Sequence, residues 1–95
     1  MAGQLILREK LTDERGNLRE MVIWSVPPSP RQTEGVRYRL ALIKAGEDEP
    51  VVLYDNHHPK GHHRHVRGVE ESYRFTDVAT LIDDFMADVR RATRE

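Results

Sequence analysis

Cysteine is absent from this sequence, the net charge is small, and no long apolar run occurs. Without cysteine the chain has no disulfide, no thiolate zinc site and no cysteine nucleophile. This composition fits a reducing compartment, and we expect the protein to be cytoplasmic. No apolar segment reaches the ~20 residues that a membrane-spanning helix needs, so we expect no membrane partner. The formal net charge of −1 indicates that the chain as a whole is not a polyanion binder.

The 95 residues are enough for one domain, which we predict to span residues 1–95. A domain of this length buries only about 60–65% of its unfolded surface, so its core is expected to be thin. The charges are unevenly distributed along the chain. Residues 56–67 are cationic, while acidic residues gather in 47–49, at Glu70 and Glu71, and in the last helix. A local basic patch on a nearly neutral protein can still bind nucleic acid.

Alternating apolar and polar residues predict an antiparallel sheet of four or five strands. Residues 12–17 form a polar turn with a glycine between the first two runs, which is a hairpin signal. The prolines in 27–30 end the second run, because proline donates no hydrogen bond to a sheet. The strands are expected at residues 4–11, 18–26, 36–44, 51–56 and, as a short fifth strand, 72–75.

The C-terminal segment has the spacing of an amphipathic helix. Thr76 or Asp77 can act as the N-cap, since a side-chain oxygen there accepts from free backbone N–H groups. An apolar stripe follows, at Val78, Leu81, Ile82, Phe85 and Val89, with Asp83, Asp84 and Asp88 off the stripe. We therefore predict an α+β fold in which one C-terminal helix packs on one face of the sheet.

The helix can cover only one of the two sheet faces. The covered face is predicted to carry Val22, Trp24, Tyr38, Leu40, Leu42, Leu53 and Phe75. The second face is predicted to carry Arg8, Arg19, Arg37, Arg39 and Arg74 among Met21, Ile23 and Tyr54. A half-solvated antiparallel sheet tolerates such a mixture. The second face is either solvated surface that also contacts another copy in a homodimer, or an arginine-lined surface that receives a substrate backbone.

All five histidines fall within nine consecutive positions, inside the stretch 54–67. Histidine titrates nearest to neutral pH, so it suits proton transfer and metal binding. Lys60, Arg64 and Arg67 add positive charge, which suits phosphate. We interpret this stretch as a loop after the fourth strand that carries the function.

Metal binding is one alternative for this histidine stretch. A set such as His58, His63 and His65 could supply three ligands, but the local spacing matches no specific metal template. Lys60, Arg64 and Arg67 repel a dication unless carboxylates offset them, and only Asp55 is near at hand. We therefore predict no metal site and no cofactor.

Metal-free RNA cleavage needs the same residue types. It requires a base for the 2′-hydroxyl proton, an acid for the 5′-leaving oxygen, and cations beside the phosphorane charge. Two histidines with Lys60 and Arg64 supply these groups. Asp55 can orient a histidine, and Gly61 lets the backbone approach a phosphate closely. A surface loop rich in histidine that binds metal adventitiously is the other interpretation.

Three segments resemble the TumE-type toxins of prokaryotic type II toxin–antitoxin systems. They read REKLTDERGNLREMVIWSVP at 8–27, VRYRLALI at 36–43, and YDNHHPKGHHRH at 54–65 followed by EESYRF at 70–75. The resemblance covers nearly the whole chain, and the third segment is its most specific part. It implies a small toxin that acts on RNA or translation and is encoded beside an antitoxin with a helix-turn-helix domain. The motif singles out Asp55, Asn56, Lys60, Gly61, His62, His63, Arg64 and His65, with less weight on His57 and His58.

We predict an endoribonuclease toxin whose partners are an RNA substrate and a helix-turn-helix antitoxin. The predicted catalytic residues are Asp55, Lys60, His62, His63, Arg64 and His65. The predicted substrate-binding residues are Arg37, Arg39, Tyr54, Asn56, Gly61 and Arg67. His63 and His65 are the acid and the base in an unassigned order, and Lys60 and Arg64 neutralise the phosphate. The alternative is a module without catalysis, which binds nucleic acid or metal and acts with its helix-turn-helix partner.

Overall fold

The computed structural model describes residues 3–30, 33–57 and 59–94, which form one antiparallel sheet and a C-terminal helix. The predicted α+β fold is confirmed, but the sheet has six strands rather than four or five. Every strand pairs with the next one along the chain, in the order β1 to β6. The elements are β1 Gln4–Thr12, β2 Leu18–Ser25, β3 Val36–Ile43, β4 Val52–Asp55, β5 His63–Val66, β6 Val69–Ser72 and α1 Val78–Thr93. Among the described residues, no helix is long and apolar enough to cross a membrane.

The predicted polar turn between β1 and β2 is confirmed, and Asp13 organises it. Its Oδ1 accepts from the backbone N–H groups of Arg15 and Asn17, each at 2.9 Å. Gly16 has φ +85°, a conformation that glycine adopts without steric cost. The short connection makes β1 and β2 a hairpin, which is the outer edge of the sheet.

The histidine stretch was predicted as a loop, and this is wrong for its second half. His63–Val66 is strand β5, which pairs with β4 on one side and with β6 on the other. Arg67 and Gly68 join β5 to β6 with φ values of +53° and +82°, as a two-residue hairpin turn requires. The predicted fifth strand at 72–75 overlaps the observed β6 only at Ser72.

The helix packs on the sheet face opposite to the one predicted from β2 and β4. Residues that pair across antiparallel strands point to the same face, and Met21 pairs with Leu40, which in turn pairs with Tyr54. We call this side the helix face. Its buried residues are Met21, Ile23, Val36, Tyr38, Leu40, Leu42, Val52 and Tyr54, packed against Leu81, Phe85, Val89 and Ala92 of the helix. The prediction that Val22, Trp24 and Leu53 face the helix, with Met21, Ile23 and Tyr54 opposite, is therefore wrong.

Helix α1 begins where a capping side chain was predicted. Asp77 is the N-cap, and its Oδ1 accepts from the backbone N–H of Thr80 at 2.7 Å. That hydrogen bond lowers the pKa of Asp77. Asp88 was predicted to lie off the buried stripe but is buried, because its carboxylate turns towards polar groups of the sheet.

Candidate functional site

Strand β5 divides the predicted catalytic residues between the two faces of the sheet. Side chains alternate along a strand, so His63 and His65 point away from the helix while Arg64 points towards it. The register confirms this division, since His63 pairs with Asp55 and Arg64 with Tyr54. We call the side away from the helix the open face. It carries Val22, Trp24, Arg37, Arg39, Asp55, His63 and His65.

Asp55 and His63 form the most buried polar pair of the open face. The Nε2 atom of His63 lies 2.8 Å from Oδ1 of Asp55, and each residue is only 8% exposed. The two atoms are within ion-pair distance, yet Oδ1 accepts no hydrogen bond from the described residues. His57 adds a longer contact, with Nδ1 3.7 Å from Oδ2. A buried carboxylate with an unsatisfied oxygen is costly, so we look for a functional reason for it.

Gly61 fixes the orientation of the His63 ring. Its φ is +73°, and its carbonyl oxygen lies 2.8 Å from Nδ1 of His63. Because a carbonyl only accepts hydrogen bonds, Nδ1 carries the hydrogen. In a neutral ring, Nε2 then presents a lone pair beside the carboxylate oxygen of Asp55. Two acceptors repel each other at this distance, so the contact needs a hydrogen or a cation between the two atoms.

His65, Glu70 and Lys60 continue the site towards the edge of the sheet. The rings of His63 and His65 have centroids 5.2 Å apart. Nε2 of His65 lies 3.7 Å from Oε1 of Glu70, and Nζ of Lys60 donates to both oxygens of Glu70 at 2.9 and 3.0 Å. The hydrogen bond from Lys60 lowers the pKa of Glu70. Within the described chain, one group of side chains has the proximity needed for a metal, namely His63, His65 and Glu70.

A cavity of about 460 Å³ opens on the same face beside Asp55. Arg39 in its wall pairs in register with Asp55 on one side and with Val22 on the other. Arg37 and Arg39 are exposed, and Arg8 lies 6.0 Å from the ring of Trp24. The cavity is lined by Gly3, Val22, Trp24, Val26, Arg37, Tyr38, Arg39 and His57. It combines an aromatic ring with cations, which are the groups that bind a nucleobase and its phosphate.

Arg64 and Tyr54 belong to a polar network beneath the helix. The Tyr54 hydroxyl donates to Oδ2 of Asp88 at 2.5 Å, and Arg64 donates to the Tyr54 oxygen at 3.2 Å. Arg64 also binds Glu71 at 2.7 Å. Its hydrogen bond with Tyr54 raises the pKa of Arg64, while burial and then the Asp88 contact raise that of Tyr54. Neither side chain is on the face that carries His63 and His65.

His62 lies on the helix face with aromatic neighbours. Its Nδ1 is 2.8 Å from the hydroxyl of Tyr38, and its Nε2 is 3.1 Å from Oε1 of Glu34. Its ring stacks on Phe75 with centroids 5.1 Å apart. The hydrogen bond to His62 lowers the pKa of Glu34, and burial raises the pKa of Tyr38. The His62 ring thus packs on the helix face, although His62 also lines a second cavity at the sheet edge together with Lys60, His63 and Glu70.

The other predicted substrate-binding residues have different surroundings. Asn56 is buried and joins the ends of β3 and β4: it accepts from the N–H of Tyr38 at 3.0 Å and donates to the carbonyl of Val36 at 2.8 Å. Arg67 lies in the β5–β6 turn, at the end of β5 far from His63. His58 lies outside the described residues.

Sequence reasoning missed Trp24 and Glu70 as members of the open face. Trp24 was assigned to the helix-covered face because it alternates in step with Val22, and Glu70 was counted only as part of an acidic cluster. The alternation of β5 and the two-residue turn at Arg67 and Gly68 would have predicted Glu70 beside His65, since they pair in register.

A family model described as Toxin TumE matches residues 2–93, nearly the whole chain. The chain belongs to the TumE toxin family. This confirms the family that the sequence segments indicated, and membership of a toxin family implies an antitoxin partner. No curated protein and no solved structure matches the chain.

Proposed function

We propose that this TumE-family toxin is an endoribonuclease that cleaves RNA on its open face without a metal ion. The observation that carries the proposal is the pair of imidazoles, His63 and His65, 5.2 Å apart between ring centroids and beside the buried carboxylate of Asp55. Two imidazoles at this separation can serve the two proton transfers of one phosphodiester cleavage. Membership of the TumE family supports a toxic function. The geometry of the open face supports RNA cleavage as the reaction.

The two histidines take different roles in this proposal. His65 is the more accessible and removes the proton from the RNA 2′-hydroxyl. The 2′-oxygen then attacks phosphorus, and the bond from phosphorus to the 5′-oxygen breaks. His63 donates the proton of Nε2, the ring nitrogen beside Asp55, to the leaving 5′-oxygen. The products are a 2′,3′-cyclic phosphate and a 5′-hydroxyl, so protons and bonds balance with no other reactant.

The cations and the aromatic ring of the open face hold the substrate. Lys60 leaves its exposed ion pair with Glu70 when the substrate binds, and it then neutralises the developing phosphorane charge. Arg37 and Arg39 bind the neighbouring phosphates, as their exposure on this face allows. Trp24 stacks on one base in the cavity beside them, which favours single-stranded RNA because only unpaired bases can stack on a side chain. Arg64 was predicted to be catalytic and Tyr54 to bind substrate. In this proposal both residues support the sheet and neither contacts RNA.

We also propose that the antitoxin binds over the open face. A partner with a helix-turn-helix domain and an acidic segment would pair with Arg37, Arg39 and Lys60, since opposite charges steer and hold such a complex. Covering this face excludes RNA and renders the toxin inactive.

Incubation of the purified protein with end-labelled single-stranded RNA tests the proposed function. We expect fragments that end in a 2′,3′-cyclic phosphate and that form equally with and without EDTA. Cleavage that stops in EDTA and returns with a divalent ion would show a metal enzyme instead. RNA that stays intact while it binds the protein would favour the non-catalytic module. A substrate with 2′-deoxyribose at every position is the matched control, since it binds and has no nucleophile.

A further inference from the structure

The ligand atoms of His63, His65 and Glu70 lie within 4.8 Å of one another. Tetrahedral ligands at about 2.0–2.1 Å from a zinc ion are roughly 3.3 Å apart, close to the 3.7 Å between His65 Nε2 and Glu70 Oε1. Glu70 is exposed, so its side chain can make the remaining adjustment. Two imidazoles and one carboxylate form a common zinc-binding set that leaves the fourth position to water.

A second, independent feature also indicates a cation at this point. The Nδ1–H of His63 is fixed on the Gly61 carbonyl at 2.8 Å, which is the arrangement that directs the Nε2 lone pair of a histidine towards a metal. Beside that lone pair, Asp55 is more than nine-tenths buried, and its Oδ1 accepts no hydrogen bond from the described residues. A cation at Nε2 relieves the repulsion between these two acceptors.

We propose that His63, His65 and Glu70 bind a zinc ion, with Asp55 as the neighbouring carboxylate that offsets its charge. This prediction goes against the absence of a metal site expected from the sequence. That expectation counted the repulsion from Lys60, Arg64 and Arg67. Arg64 lies on the other face, Arg67 lies in the turn at the far end of β5, and the charge of Lys60 is offset by Glu70 in the free protein. The effect of zinc on cleavage rests on the proposed function: zinc takes the imidazole nitrogens that move protons, so it inhibits the enzyme. The binding itself needs no catalysis.

Lys60 is expected to affect zinc binding in the direction opposite to Glu70. Its ammonium group holds both oxygens of Glu70, so it competes with a metal for the same carboxylate. Replacing Lys60 by an uncharged residue of similar length frees Glu70 and removes a positive charge. Loss of Lys60 is therefore expected to tighten zinc binding, whereas loss of Glu70 weakens it. A general loss of folding cannot produce these opposite changes.

Competition with a coloured zinc chelator measures the affinity in the purified full chain. We expect one zinc ion per chain, an affinity that falls at least about tenfold in Glu70→Gln, and a severalfold gain in Lys60→Met. The control variant is His57→Gln, which removes a histidine of the same run that does not belong to the cluster and is expected to keep the affinity. Circular dichroism in EDTA verifies that each variant is folded.

Two results overturn the zinc site. One is the absence of any zinc bound above the chelator background. The other is an affinity that is lost in the control variant and unchanged in Glu70→Gln, which would show adventitious capture by the histidine run. Zinc binding without RNA cleavage leaves the site standing and removes the proposed function, and cleavage without zinc binding does the reverse.

Discussion

Asp55 Oδ1 and His63 Nε2 lie 2.8 Å apart between neighbouring strands, and both residues are nearly inaccessible to solvent. The hydrogen on the other ring nitrogen is fixed by Gly61, so the contact is complete only with a hydrogen or a cation between Nε2 and Oδ1. This relationship connects the two proposals, because a proton at Nε2 serves RNA cleavage and a zinc ion at Nε2 prevents it.

Asp55→Asn tests whether this carboxylate serves RNA cleavage or only the stability of the fold. The amide has nearly the same shape but no charge to hold the His63 proton, so we expect RNA cleavage to fall at least tenfold. Stability is expected to stay equal or to fall, because the amide oxygen can still accept from Nε2 of His63 but brings no charge to this buried contact. Cleavage rate and urea midpoint are measured on the same preparation. A stability loss with unchanged cleavage would show that Asp55 supports only the fold.

Tyr54→Phe tests the network under the helix. The change removes the hydroxyl that donates to Asp88 at 2.5 Å and leaves a buried carboxylate with fewer partners. We expect the free energy of unfolding to fall by about 1–3 kcal/mol, measured by urea denaturation. Tyr73→Phe is the matched control, since Tyr73 donates to Asp84 at 2.6 Å at a less buried position. An equal loss in both variants would contradict the special role of Tyr54.

The tyrosines give a test at alkaline pH. The chain has three, and burial raises the pKa of Tyr38, Tyr54 and Tyr73 above the ordinary value. Because the folded pKa exceeds the unfolded value of about 10, this contribution to stability is present below pH 10 and is lost as pH rises further. Tyrosinate absorbance is expected to appear above pH 10 together with loss of the helix signal in circular dichroism. In urea it should appear near pH 10. A native protein with ordinary tyrosinate titration would contradict this.

Trp24 reports directly on the cavity, because it is the only tryptophan in the chain. A single-stranded DNA oligonucleotide, which cannot be cleaved by 2′-hydroxyl attack, is expected to quench its fluorescence on binding. Trp24→Ala should weaken oligonucleotide binding by about 1–3 kcal/mol, the usual value of one stacked base, and Trp24→Phe should retain most of the affinity. Leu11→Ala removes another exposed apolar side chain and serves as the control. Binding without quenching would exclude a base on Trp24.

The overall fold could be predicted from the sequence because its signals are strong. The Asp77 cap and the apolar stripe predict α1, and the turn before Leu18 predicts the first hairpin. The choice of face in β2 could not be predicted, because apolar residues occupy both sides: Met21 and Ile23 alternate with Val22 and Trp24. Only the pairing with β3 decides between them, and that register is a long-range property.

The residues of the candidate site could be predicted only in part, because strand β5 was taken for a loop. The histidine stretch was noticed, but its polar composition indicated a loop, and a loop allows every side chain to converge. A half-solvated strand needs no apolar alternation, so β5 was not recognised. Once His63, Arg64 and His65 follow one another in strand β5, Arg64 must face the helix and the two histidines the opposite side.

The most direct test of the account compares His65→Ala with His62→Phe in RNA cleavage by the purified protein in EDTA. The two histidines lie three residues apart in one run, but only His65 belongs to the open face, because the His62 ring packs against Tyr38 and Phe75. His62→Phe keeps the stacking on Tyr38 and Phe75 and removes only the ring nitrogens. We expect His65→Ala to lose at least about a hundredfold in cleavage rate, while folded His62→Phe retains most of it. Full activity in His65→Ala together with loss in His62→Phe would contradict a catalytic site on the open face.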